Sequence, residues 1–178
     1  MMPFKEGFQQ HLGRERKSWY ALFIMAVVAV ALVAAWVTWP RSSPKAAEIP
    51  ENLGGLSLLR LETGPAAMES VGGMHTGSFA LQDAWIATYQ GGAAVWVGDA
   101  QSEAEAEQLV QAMASAIGRG GSPFSSPSQR TVNKKPMFTT SDGQQQHFFY
   151  RTGKRVVWIV VPARDGMRFV QEVSTFLG

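Results

Sequence analysis

The side chains best suited to chemistry after the first quarter of the chain are two histidines, His75 and His147. His75 lies in Met74-His75-Thr76, and His147 opens an aromatic run with Phe148, Phe149 and Tyr150. Imidazole nitrogen with thioether sulfur is a soft donor set suited to copper, and a His–His or His–Met pair suits haem held without a covalent link. His75, His147 and Met74 are therefore the candidate metal or haem ligands. Against that stands the ordinary role of a lone histidine as a hydrogen-bonded structural group, and of methionine as core filler. No cofactor is predicted. The chain has no cysteine, which excludes disulfides, thiolate metal sites and covalently attached haem. It also lacks GxSxG, a P-loop, HExxH and a dinucleotide fingerprint, so the residues predict no enzyme.

Recognition is the second kind of chemistry on offer. Trp85, Tyr89, Trp96, Phe148, Phe149, Tyr150 and Trp158 crowd the strand-like segments. Alternation places Trp85, Ala87 and Tyr89 on one face of their strand and Ile86 and Thr88 on the other. If one sheet face lacks helices, Trp85 and Tyr89 would meet a protein, peptide or glycan there; otherwise they fill the core. Arg151, Lys154 and Arg155 cluster at a turn and form a basic tip for phosphates, lipid headgroups or an acidic partner, or are simply solvated. The candidate partner-binding residues are thus Trp85, Tyr89, Arg151, Lys154 and Arg155.

The elements that must position these residues read as α+β. A first strand is expected around Leu56–Leu61. Thr63-Gly64-Pro65 then opens a short helix that stops at Gly72-Gly73. Strands over Asp83–Tyr89 and Ala93–Gly98 flank Gly91-Gly92, a hairpin signal. Ser102 with Glu105 makes a capping box for a helix with Leu109, Val110, Met113 and Ile117 on one face. Gly118, Gly120 and Gly121 end it, and the stretch to Gln129 reads as a loop from which Phe124 packs back. Strands over His147–Arg151 and Arg155–Val161 flank Thr152-Gly153, and a C-terminal helix carries Phe169, Val170, Val173, Phe176 and Leu177 as one stripe. Val95-Trp96-Val97 resembles Val157-Trp158-Ile159, each ahead of a helix. The pattern predicts one antiparallel sheet with helices mainly on one face, built from two ββα-type units.

The location of that domain follows from residues 19–39, WYALFIMAVVAVALVAAWVTW, a run without a charge. As a helix it covers about 30 Å, the thickness of a bilayer core. Trp19, Tyr20, Trp36 and Trp39 sit at its ends as interfacial aromatics do. Its length and its lack of a small-x-small cleavage site predict a retained anchor rather than a cleaved signal. Lys5, Arg14, Arg16 and Lys17 precede it, while Arg41 and Lys45 follow. That excess predicts a cytoplasmic N-terminus and a C-terminal domain in the periplasm or outside the cell. The expected organisation is a cytoplasmic segment 1–18, a single-pass transmembrane helix 19–39, a Pro/Ser-rich linker 40–52 and an extracytoplasmic α+β domain 53–178.

The sequence pI near 9.1 belongs to the flanks of this run, because residues 46–178 hold ten bases against twelve acids. Nucleic acid is therefore not an expected partner. Within the domain, residues 46–118 hold nine acids and the single base Arg60, whereas 119–178 hold nine bases and three acids. The two halves are expected to neutralise each other in the fold. The expected partners are the bilayer, through 19–39, and a membrane or envelope protein. The expected function is that of a non-catalytic accessory or interaction protein, and the alternative is an extracytoplasmic module for a small molecule, metal or haem.

Overall fold

The computed structural model describes residues 49–73, 80–164 and 166–178. The expected segment 1–18, the transmembrane run 19–39, linker residues 40–48, and Met74 and His75 lie outside the described residues. Among the described residues no helix is long and apolar enough to cross a membrane.

Among the described residues, eight strands and three α-helices make an α+β fold. In chain order they are β1 (Asn52–Leu53), β2 (Leu56–Thr63), α1 (Gly64–Gly72), β3 (Asp83–Tyr89), β4 (Ala94–Asp99), α2 (Glu103–Gly118), β5 (Ser128–Val132), β6 (Lys135–Ser141), β7 (Gln145–Thr152), β8 (Arg155–Pro162) and α3 (Met167–Phe176). They form one sheet in the order β1-β2-β3-β4-β8-β7-β6-β5, and every neighbouring pair is antiparallel. The expected hairpins are β3–β4 and β7–β8, the latter turning through Gly153-Lys154, with Gly153 at φ 55°. The Ser102 hydroxyl accepts from the Glu105 N–H at 3.1 Å, capping α2 as its sequence predicts.

The helices do not share one face. Ala67 and Val71 of α1 pack on Ala84 and Ile86. Ala106, Leu109, Val110 and Ile117 of α2 pack on Phe149 and Val156 of the same face. Phe169, Val170 and Val173 of α3 pack on the opposite face, against Trp85, Val97, Phe148, Val157 and Ile159. The expectation of helices mainly on one face is met by α1 and α2, but α3 takes the other, so neither face stands free. The signal lay in β8, RVVWIVVP, which is apolar without alternation, as a strand covered on both sides must be. Trp96 sits opposite Trp158 where β4 meets β8, so the two hairpins are related by a local two-fold normal to the sheet. Their following helices break that relation by taking opposite faces.

The hairpin β5–β6 was not expected. Its turn is Asn133-Lys134, with both residues in the left-handed region at φ 49° and 65°, which matches the twist of a two-residue hairpin. The Asn133 amide donates to the Gln171 carbonyl at 2.8 Å. Lys135 Nζ donates to the Ser174 carbonyl at 2.6 Å, placing a cation at the C-terminal end of α3, where the helix dipole favours one. The fold also begins earlier than Leu53. Ile49 is buried and the Tyr89 hydroxyl donates to the Pro50 carbonyl at 2.9 Å. The Gly54 N–H donates to Glu172 Oε2 at 2.6 Å. A Cβ at Gly54 would lie 2.6 Å from Phe169 Cα, so glycine is required there by close backbone approach as well as by its φ of 61°.

Candidate functional site

His147 stands on β7 facing the α2 side, only 5% exposed. Its ring is held from both ends. Trp158 Nε1–H donates to Nδ1 at 3.2 Å, and Nε2 lies 3.3 Å from Asp142 Oδ2. An indole nitrogen can only donate, so Nδ1 must accept and the remaining proton sits on Nε2, directed at the carboxylate. This fixes the neutral Nε2–H tautomer. Burial pushes the imidazole below its ordinary 6.5, outweighing the opposing pull of Asp142. Phe124 closes the cluster, edge-on to His147 with centroids 4.9 Å apart and 5.7 Å from the Trp158 ring. Phe149 stacks on Trp158 at 5.0 Å.

The surroundings hold this arrangement in place. Asp142 accepts from the main-chain N–H groups of Gln145 at 2.7 Å and Gln144 at 2.8 Å, and these bonds hold its carboxyl below the usual range. The loop bearing Phe124 is pinned where the Ser125 N–H donates to the Ser141 carbonyl at 2.8 Å. The Thr140 hydroxyl donates back to the Ser125 carbonyl. Sequence reasoning selected His147 but missed Asp142 and the role of Trp158. Asp142-Gly143 is a turn dipeptide, and that signal could have set a carboxylate at the head of the strand carrying His147.

With both ring nitrogens engaged, His147 is placed to sense protonation or to rigidify this end of the sheet. Its candidate co-ligands Met74 and His75 lie outside the described residues. Among the described residues no group of three or more histidine or carboxylate side chains converges to hold a metal ion.

The aromatic candidates are corrected by burial. Trp85 is 4% exposed and Tyr89 1%, because α3 covers their face, and Tyr89 meets Phe169 edge-on at 5.1 Å. The Tyr89 hydroxyl, pushed up to about 12 by burial, serves as a donor to Pro50. Neither ring presents a surface.

The basic tip is brought together as expected, and it meets acids from the first half of the chain. Arg151 Nε pairs with Glu107 at 2.6 Å and its NH1 lies 3.8 Å from Glu103, both on α2. Arg155 pairs with Asp99 at 3.2 Å, and Lys154 Nζ donates to Gln82 at 3.1 Å. The hydrogen bond from the Gln111 amide, and then that from Arg151, holds the Glu107 carboxyl below the ordinary range. Opposite charges of the two halves thus meet where β8 pairs with β4 and where α2 crosses β7.

Between α1 and α2 an apolar cleft opens onto the sheet, floored by Trp96 and Trp158 and walled by Val71, Leu81, Leu109 and Met113. Its cavity volume is about 20 Å³, room for about one water-sized group. Comparison with protein-family models, with curated proteins and with solved structures finds no match to this chain.

Proposed function

We propose that this chain is a membrane-anchored accessory or interaction protein without catalytic activity, which presents its α+β domain outside the cytosol to a membrane complex or envelope partner. The observation that carries the reading is the junction between anchor and domain. The uncharged run ends at Trp39, and by Ile49 and Pro50 the chain is already fastened to the core. Residues 40–48 fully extended reach about 30 Å, so the domain works close to the bilayer surface, where a membrane complex is the partner within reach. The engagement of Arg151, Arg155 and His147 inside the fold supports a binding role carried by surfaces rather than by a reactive centre. The alternative, a module for a small molecule, metal or haem, draws on the cleft floored by Trp96 and Trp158, which is far smaller than the several hundred Å³ of ordinary ligand sites.

Purification of the full chain in mild detergents, followed by mass spectrometry, tests the reading. Recovery of a membrane or envelope protein in fixed ratio is the expected result. Recovery of the chain alone in every detergent would sink the accessory role, and release of the chain from membranes by alkaline carbonate would sink the anchor.

A further inference from the structure

The two edges of the sheet are finished differently. At one edge β1 is two residues long, β2 is bulged between Leu58 and Arg60, and Arg60 is paired with Glu62 at 3.1 Å. Short strands, bulges and paired charges are what natural sheets use to blunt an edge. At the other edge β5 is regular over its five residues, and Ser128 through Thr131 are exposed.

The register of β5 says which of its main-chain groups are free. Val132 and Lys135 flank the two-residue turn and pair first. Ser128, Arg130 and Val132 therefore direct their N–H and C=O toward β6, and Gln129 and Thr131 direct theirs away from the sheet. Pro136 sits opposite Thr131, at a position that needs no N–H on the β5 side. Two donors and two acceptors, spaced as in a ladder, stand along this edge.

Among the described residues the charged side chains on β5 and its turn are basic. Arg130 reaches no carboxylate among the described residues, its NH1 lying 4.0 Å from Met167 Sδ. Lys134 is exposed at the turn, and Arg164 is exposed in the turn three residues before Met167. These contrast with Arg151 and Arg155, which are paired within the fold. Symmetric pairing of two copies across β5 would bring two Arg130 side chains together, which disfavours self-association.

We propose that β5 is a docking edge that takes an extended, acidic segment of a protein partner as a ninth, antiparallel strand. The main-chain groups of Gln129 and Thr131 supply the ladder, and Arg130 and Lys134 supply the selectivity for acid. The proposal rests on the interaction reading above for the existence of a partner.

A displayed library of random seven-residue segments, selected against the full chain in nanodiscs, tests it. Wild type is expected to enrich sequences of alternating β-branched and acidic residues. Arg130→Glu is expected to weaken the selected peptides by roughly tenfold or more and to shift enrichment toward basic ones. Bound peptide should protect the amides of Gln129 and Thr131 from hydrogen exchange. No enrichment above background, the same sequences selected by wild type and Arg130→Glu, or protection elsewhere would overturn the proposal. So would protection of these amides by rising protein concentration alone, which would assign the edge to a second copy. Arg130→Glu also separates the two readings. If a co-purifying partner is retained unchanged by this variant, the interaction role stands and β5 is not its site.

Discussion

The two faces of the sheet solve the same packing problem in different ways. On the α3 face one helix and the residues around Ile49 and Leu53 close over Trp85, Tyr89, Phe148 and Tyr150 as a single continuous core. On the other face α1 and α2 cover separate clusters. The seam between them is floored by Trp96 and Trp158, and beside it lies the polar bridge from Trp158 through His147 to Asp142. A single wide apolar stripe seals a sheet completely. Two helices leave a margin, and the margin is where polar chemistry enters.

Deep truncation on the sealed face should show the largest effect. Phe169→Ala removes the ring that meets Tyr89 edge-on in that core, and a loss of about 3–5 kcal/mol is expected, read by denaturant titration of the full chain in micelles. A loss under about 1 kcal/mol would break the claim that α3 closes that core. On the margin, Trp158→Phe keeps the stacked shape but removes the donor to Nδ1, leaving a buried acceptor without its partner. The expected cost is about 1–2 kcal/mol. The His147 pKa, followed by NMR, should rise, since protonation would no longer break a hydrogen bond.

Acidity gives a third and smaller contrast. Burial sets the folded-state pKa of His147 below the unfolded 6.5, so the unfolded chain takes up its proton first. The contribution is fully present above about pH 6.5 and is lost as pH falls through the folded value. Asp142, whose pKa is depressed, loses its contribution separately, below the unfolded 3.8. His147→Gln should flatten the stability profile in the upper window alone, and an unchanged slope there would show that His147 does not set it. The smallest effect is expected back on the sealed face. The Tyr150 hydroxyl is buried without a hydrogen-bond partner among the described residues, so Tyr150→Phe should be neutral or stabilising by up to about 1 kcal/mol.

The parts of this fold that were legible in the sequence are those whose signal is local. The Ser102/Glu105 cap, the Pro65 helix start and the α3 stripe announce their elements within four residues. The hairpins around β4 and β8 did so through apolar runs and glycine turns. β5 and β6 escaped because SQRTV is exposed from Ser128 to Thr131, with only Val132 buried, and has no apolar alternation to display. The side on which each helix packs escaped for a different reason: it is decided by tertiary placement, and only the unbroken apolarity of β8 hinted that both faces were covered. The site was half visible. His147 stood out by residue type, but its partners lie five and eleven residues away along the chain: the β6–β7 turn carries Asp142, and pairing of β7 with β8 brings in Trp158. Alternation puts Trp85 and Tyr89 on a shared strand face but does not say whether that face is covered; α3, on the side opposite α1 and α2, makes it core.

The strand order has a consequence for synthesis. β4 finds its second neighbour only in β8, so during synthesis the nascent chain carries Ala94–Asp99 as an open apolar edge until residue 162 has emerged. α2 waits as well, since the Phe149 and Val156 that it covers come from the same late hairpin. Closure of the central pair is thus a long-range step late in biogenesis, the kind that is slow and prone to misassembly. The vulnerable interval is therefore set by the last quarter of the polypeptide.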